Sequence, residues 1–252
     1  MRFFAVWVFI FQFSAFSLRG QDTVSFFRNS KPFKDYLVSY VTDGLNMAAA
    51  PVKWDQKDVL FATGAVTGTL VLWKFDEQIQ KQLVSEGWAE TFLDGIDHFG
   101  DGVFSIPVLA GIFVAGKATK TPYDCEVALL GLKTFALNAV STRLVKYTFQ
   151  RHRPTDDVPP DALAFEGPMH GYTGYDSFVS GHASSAFALA AVLSKAYGKQ
   201  KKWVPWVVWP LASLVAFSRV YDGSHWASDA FAGAAFGYST GMFMYHFNLR
   251  NR

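Results

Sequence analysis

The chain has 252 residues, half of them hydrophobic and 17% aromatic, with 17% charged and a net charge of +2. That length supports one substantial core without demanding a second domain. The small net charge and the lack of a basic run argue against nucleic-acid binding, and the lone Cys125 excludes an internal disulfide or a cysteine-based zinc site.

Residues 1–20 begin Met1-Arg2, continue through an apolar stretch to Leu18, and meet a polar segment at Arg19. This is the layout of a signal peptide or an N-terminal anchor, and either form directs the chain to export. Residues 21–58 are mixed and polar, with Pro32 and Pro51, and read as a loop-rich arm. Residues 59–252 carry six apolar segments, at 59–73, 103–115, 127–145, 183–197, 204–217 and 230–247. No strand-period alternation competes with them, so the expected fold is all-α, a bundle of about six apolar helices.

Several segments are shorter than the ~20 residues that a membrane span usually needs, so buried helices of a soluble protein fit length alone. Three details favour lipid. Gly233, Gly237 and Gly241 recur every fourth residue, as do Gly64 and Gly68, a spacing that lets helix backbones approach closely. Trp203, Trp206 and Trp209 lie beside Lys201 and Lys202, as in an interfacial belt. Ile79, Leu83, Trp88, Phe92, Ile96 and Phe99 make an amphipathic stretch suited to lying at an interface.

Lys117 and Lys120, the lysines at 195, 199, 201 and 202, and Arg250 and Arg252 all fall at segment ends opposite the polar motifs. The positive-inside tendency makes those ends cytoplasmic, so the motifs face outward. A cleaved leader would then start residue 21 outside and leave no room for 59–73 to cross once. Either that segment is interfacial or re-entrant, or the N-terminus stays inside.

The chemistry is concentrated in three clusters. Lys146 and Arg153 stand seven apart, about two helical turns, at the end of the 127–145 segment, where Pro154 stops the helix. Arginine can grip two phosphate oxygens and lysine adds a compact charge. Arg219 supplies a third cation after the 204–217 segment. Ser180-Gly181-His182 opens another helix, whose N-terminal amides favour an anion, with Gly181 permitting close approach and Ser180 adding a hydroxyl. His182 is placed there to protonate a leaving oxygen. His225 and Asp229, four apart, share a helix face, and the carboxylate orients the imidazole for attack on phosphorus. Singly, each cluster also fits an exposed helix-end charge, a capping turn or a surface pair. Together they point to a phosphatase.

The clusters resemble the type 2 phosphatidic acid phosphatase superfamily, which also includes acid phosphatases and vanadium haloperoxidases. Its pattern, Lys-x6-Arg-Pro, Pro-Ser-Gly-His and Ser-Arg-x5-His-x3-Asp, is matched at Lys146/Arg153/Pro154, at Ser180/Gly181/His182 and at Ser218/Arg219/His225/Asp229, with Val179 where proline is usual. The resemblance implies His225 as nucleophile, Asp229 as its orienting partner and His182 as general acid. Lys146, Arg153, Ser180, Gly181 and Arg219 then bind the phosphoryl oxygens. Three fixed cations can take the part that magnesium plays elsewhere, so no metal or cofactor is implied.

The long 155–179 stretch, with Phe165, Met169, Tyr172, Tyr175 and Phe178, either lines the leaving-group approach or forms a surface lid. Because Lys146, His182 and Arg219 fall at ends of apolar helices, the expected substrate is a lipid phosphate monoester or diphosphate. Phosphatidic acid, phosphatidylglycerol phosphate, an isoprenyl diphosphate and lipid A all qualify. The expected setting is a bacterial envelope membrane, with the site on the periplasmic side. A soluble exported acid phosphatase, a haloperoxidase and a non-catalytic membrane scaffold are the competing readings.

Overall fold

The computed structural model describes residues 33–83, 90–157, 159–168, 171 and 173–249, and among them the structure is eight α-helices with no strand. Residues 1–32, which include the expected leader and the first part of the expected arm, together with Trp88, Met169, His170, Tyr172, Arg250 and Arg252, lie outside the described residues. The six apolar segments are all helical: α2 (Gln56–Leu83), α4 (Gly102–Ala118), α5 (Pro122–Phe149), α6 (Gly181–Tyr197), α7 (Trp203–Tyr221) and α8 (Ala227–Leu249). Two helices join them, α1 (Phe33–Ala49) and the short α3 (Glu90–Asp97).

Over residues 33–49, helix α1 corrects the loop-rich reading of the arm. Its Leu37, Val38, Val41 and Leu45 point outward, while Tyr36 and Asp43 are buried. Tyr36 donates to the Leu129 carbonyl at 2.8 Å, and Asp43 pairs with Lys133, which is wholly buried in α5 and also donates to Asn248 at 3.1 Å. Polar groups face the bundle and apolar groups face outward, which reverses the amphipathic pattern of a soluble protein. Outward-facing Leu60, Leu70, Val71, Val103, Val114, Val140, Leu144 and Trp206 continue an apolar surface over α2, α4, α5 and α7, as lipid contact requires. Gln56–Leu83 and Trp203–Tyr221 are long and apolar enough to cross a bilayer.

The tightest crossing is α6 on α8. A Cβ on Gly237 would stand 1.9 Å from the Ser184 carbonyl oxygen, and Gly233 and Gly241 abut Ser180 and Ala188 in the same way. The small-residue stripe thus sets backbone separation here. Gly68 likewise faces the Phe231 ring, but Gly64 opens on empty space and belongs to no crossing. Around this crossing a core of Val127, Leu130, Val192, Tyr197, Val204, Phe243, Met244 and Leu249 fills the end of the bundle away from the motifs.

Phe61 meets Tyr238, Gly68 meets Phe231 and Asp76 meets Ser228, so α2 runs antiparallel to α8 along its length. It ends at the motif end of the bundle. The connections carrying Lys117/Lys120 and Lys195–Lys202 sit together at the other end. There Tyr123 donates to the Ala196 carbonyl and Tyr197 to Asp124, both at 2.8 Å. Trp203 and Trp206 are exposed beside those lysines, whereas Trp209 turns inward and donates to Ser194.

Candidate active site

Helix α5 ends five residues before Pro154. Gln150 takes a left-handed conformation (φ +46°), and its amide holds the following loop, donating to the Gly167 and Gly171 carbonyls and accepting from Thr173. Lys146 is therefore on the last turn and Arg153 is in the loop, not on a shared helix face. They converge through Asp176: Lys146 bonds its carbonyl oxygen, and Arg153 Nη2 lies 2.7 Å from its Oδ1. Arg143 approaches the same carboxylate at 3.5 Å. Burial pushes the Asp176 carboxyl up, but Lys146, Arg153 and Arg143 outweigh it and hold it below the ordinary range.

Ser180 is the N-cap of α6, its oxygen accepting from the Ala183 amide at 3.5 Å. This places the Gly181 amide and the His182 ring at the helix mouth, with Gly181 close against the Lys146 side chain. Arg219, on the last turn of α7, pairs with Asp97 at 2.8 Å and also with Asp222. His182 Nε2 lies 3.8 Å from the other Asp97 oxygen. Burial holds the Asp97 carboxyl above its ordinary value, against the pull of His182 and Arg219. Arg219 Nε and Asp97 Oδ1 are buried without a hydrogen-bond partner among the described residues. An N–H left over beside a histidine and a helix mouth is a donor available to an incoming oxyanion.

His225 follows a tight turn. Gly223 sits at φ +71°, a conformation that favours glycine, and Asp222 accepts from the Ser224 amide at 2.8 Å. The His225 amide then bonds the Arg219 carbonyl at 2.9 Å, which ties the histidine to the arginine. His225 is buried just before α8 and Asp229 is in its first turn, where the carboxylate reaches back to the Trp226 amide at 3.1 Å. The two are not in direct hydrogen-bond contact: Nδ1 is 4.0 Å from Oδ2, and Ser177 Oγ stands 2.5 Å from that oxygen and 3.5 Å from the ring nitrogen. Nε2 is left on the opposite edge of the ring. Burial first, then the charges of Lys146 and Arg153, push His225 well below its ordinary pKa, so its ring is neutral.

The structure thus gathers Lys146, Arg153, Ser180, Gly181, His182, Arg219, His225 and Asp229 at one end of the bundle. Sequence reading misses the carboxylates that occupy the cations, Asp97, Asp176 and Asp222, and also Ser177, Arg151 and Asp76. Of these, only Arg151 carries a sequence signal, a third cation between Lys146 and Arg153. The long loop is only partly a lining. Phe165 packs on Trp73 and Phe149, Phe178 on Phe149, and Tyr175 stacks on His152 at 3.6 Å. Among the described residues no cluster of three or more histidine, cysteine or acidic groups is arranged to hold a metal.

Residues 127–252 match the PAP2 superfamily. The lipid A 4'-phosphatase of Porphyromonas gingivalis is 27% identical over 174 residues, covering 68% of this chain and 72% of that one. Phosphatidylglycerophosphatase B of Bacillus subtilis is 30% identical over 175 residues, covering 64% and 77%. The crystal structure of a transmembrane PAP2-type phosphatidylglycerolphosphate phosphatase from Bacillus subtilis superposes with a TM-score of 0.55 at 25% identity. It covers 75% of this chain and 96% of that one.

Proposed function

The chain belongs to the PAP2 superfamily and is a membrane phosphatase, and from that premise we propose that it hydrolyses lipid phosphate monoesters or diphosphates through a phosphohistidine on His225. Neutral His225 Nε2 attacks phosphorus while the bond from phosphorus to the leaving oxygen breaks. His182 gives its proton to that oxygen. Water then attacks phosphorus, neutral His182 takes the water's proton, the phosphorus–nitrogen bond to His225 breaks, and inorganic phosphate departs. Lys146, Arg153, Arg219 and the Gly181 amide stabilise the charge on the transferring group.

The observation that carries this reading is the buried Arg219 Nε, without a partner among the described residues, linked to His182 through Asp97 and through its own carbonyl to the His225 amide. Cation, acid and nucleophile then surround one oxyanion. Asp97, Asp176 and Asp222 hold the cations until substrate arrives, so phosphate exchanges one set of charge partners for another.

A lipid is the substrate class because the site lies at the end of helices whose outer faces are apolar, where a headgroup can enter without its chains leaving the bilayer. The bacterial relatives named for lipid A and for phosphatidylglycerophosphate support the same class. The bacterial relatives support a bacterial membrane, and the positive-inside distribution supports placing the site on its periplasmic side.

Two experiments test this. Rapid quench with labelled dioctanoyl phosphatidic acid should trap acid-labile, base-stable phosphate on the protein, and none on His225→Ala; label persisting in that variant would refute the intermediate. In a Cys125→Ser background, Leu163→Cys should react with an impermeant thiol reagent on intact inner-membrane preparations and Lys199→Cys should not. The reverse pattern would refute the orientation.

A further inference from the structure

Behind Asp229 lies a second, fully buried carboxylate. Arg151 stands between them with all five of its N–H groups engaged. Nη1 donates to Asp229 Oδ1 at 2.5 Å and to Ser228 Oγ at 2.8 Å. Nη2 donates to Asp76 Oδ2 at 2.8 Å and to the Ala162 carbonyl at 2.8 Å, and Nε donates to that carbonyl at 3.2 Å. The rings of Trp73, Phe165 and Trp226 surround the guanidinium carbon at 5.2 to 5.4 Å. Asp76 is equally saturated, accepting from the Ser228 amide at 2.9 Å and the Ser228 hydroxyl at 2.5 Å. Arg151, Asp76 and Asp229 are each no more than 1% exposed.

Two carboxylates and one guanidinium leave this triad with one net negative charge. Its only opening toward the chemistry is Asp229 Oδ2, the oxygen that faces Ser177 and His225. Were Asp76 neutral, Arg151 would cancel Asp229 and nothing behind the imidazole would offset the positive ring formed when His225 takes up phosphorus. We propose that Asp76 and Arg151 are positioning residues for the nucleophile: Arg151 fixes Asp229, and Asp76 restores the net negative charge that Arg151 would otherwise remove. Asp76 lies on α2, outside the residues 127–252 that match the superfamily, so the N-terminal half contributes to the electrostatics of the active histidine.

The inference rests on His225 as nucleophile. The other charged groups around that ring are Lys146 from α5, Arg153 from the loop, His182 from α6 and Arg219 from α7, with the carboxylates of Asp176, Asp97 and Asp222 paired to those cations. The triad supplies the negative charge on the Nδ1 side of the ring, through Asp229 Oδ2. Taking one negative charge away should make the imidazole less basic, and taking the guanidinium away should make it more basic.

The test is the pH dependence of kcat and KM on dioctanoyl phosphatidic acid, with the full chain in detergent. Asp76→Asn keeps the shape and, with its amide oxygen toward Arg151 and the Ser228 hydroxyl, gives up only the bond from the Ser228 amide. It should lower kcat about 10- to 100-fold with KM changed less than about threefold, and move the acid limb of kcat/KM down by about half a unit to one unit. Arg151→Met should lower kcat and move that limb upward. Arg151→Lys retains the cation with three donors in place of five, and should recover kcat relative to Arg151→Met with the limb near its wild-type position.

A purely structural role predicts lower thermal stability with every acid limb unmoved, and that result overturns the proposal, as does wild-type kcat in Asp76→Asn. Should Asp76→Asn or Arg151→Met fail to fold, Arg151→Lys decides alone: a kcat reduced at least about threefold with KM held supports positioning, and an unchanged kcat sinks it. Turnover surviving in His225→Ala would instead overturn the phosphohistidine reading itself, which separates the two failures.

Discussion

His225 Nδ1 and Asp229 Oδ2 stand 4.0 Å apart with the Ser177 hydroxyl between them. Ser177 gives its proton to the carboxylate at 2.5 Å, and its oxygen is left to accept from the ring N–H at 3.5 Å. The hydroxyl therefore fixes the tautomer that frees Nε2 for attack, in series with Asp229. Ser177→Ala should lower kcat about tenfold while KM stays within about threefold of wild type. Steady-state kinetics on dioctanoyl phosphatidic acid reads both, and an unchanged kcat would remove Ser177 from the mechanism.

Removal of the nucleophile and of its orienting group should differ in degree. His225→Ala leaves no atom to form the phosphorus–nitrogen bond and should abolish turnover. Asp229→Asn keeps the nucleophile but presents the wrong hydrogen-bond partner, and should lose up to about 10⁴-fold in kcat while remaining measurable. Equal residual rates in the two variants would contradict these separate roles.

The pH profile follows from the neutral ring. Burial and the cations of Lys146 and Arg153 disfavour protonated His225, so the attacking form persists as pH falls through the ordinary histidine range near 6.5. After allowance for the substrate's own ionisation near pH 6, the acid limb of kcat/KM should lie below ~6.5. Protonation destroys the nucleophile, so activity falls with falling pH. An acid limb above 7 would mean that His225 is not held neutral.

Packing at the α6–α8 crossing gives a stability prediction with an internal control. A side chain at Gly237 meets backbone, which cannot rotate away, so Gly237→Val should cost at least about 2 kcal/mol and lower the detergent-solubilised Tm. Gly64→Ala meets nothing within 4 Å and relieves a helix-interior glycine, so its Tm should hold or rise slightly. Equal tolerance at both positions would show that the crossing is looser than the structure has it.

Much of this was legible in the chain. The six apolar helices follow from long runs without alternation, and the glycine stripe on α8 from its four-residue spacing. The residues gathered at the motif end of the bundle follow from spacing within short motifs. What was hidden is what spacing does not encode. Asp76 is 75 residues from Arg151 along the chain, and only folding brings them to 2.8 Å. Ser177, Asp97 and Asp176 are ordinary loop or helix-end residues until the cations arrive beside them. Helix α1 was hidden for a different reason. Its apolar residues recur at helical spacing but face outward, while its inward contacts are Tyr36 and Asp43, so it reads as polar mixture when a water-facing exterior is assumed. The end of α5 was misplaced because Gln150, through a left-handed backbone and a side chain that ties the loop, stops the helix ahead of Pro154.

The central claim is that a buried histidine at the end of a membrane bundle acts on a phosphate presented by a lipid. It is tested most directly by kcat/KM of the purified protein in detergent on a panel of lipid phosphates beside p-nitrophenyl phosphate, at matched pH with EDTA present. At least one lipid phosphate should exceed the soluble ester by about 100-fold or more, because burial of acyl chains adds affinity that a soluble ester lacks. A soluble ester turned over as efficiently as every lipid phosphate in the panel would contradict it.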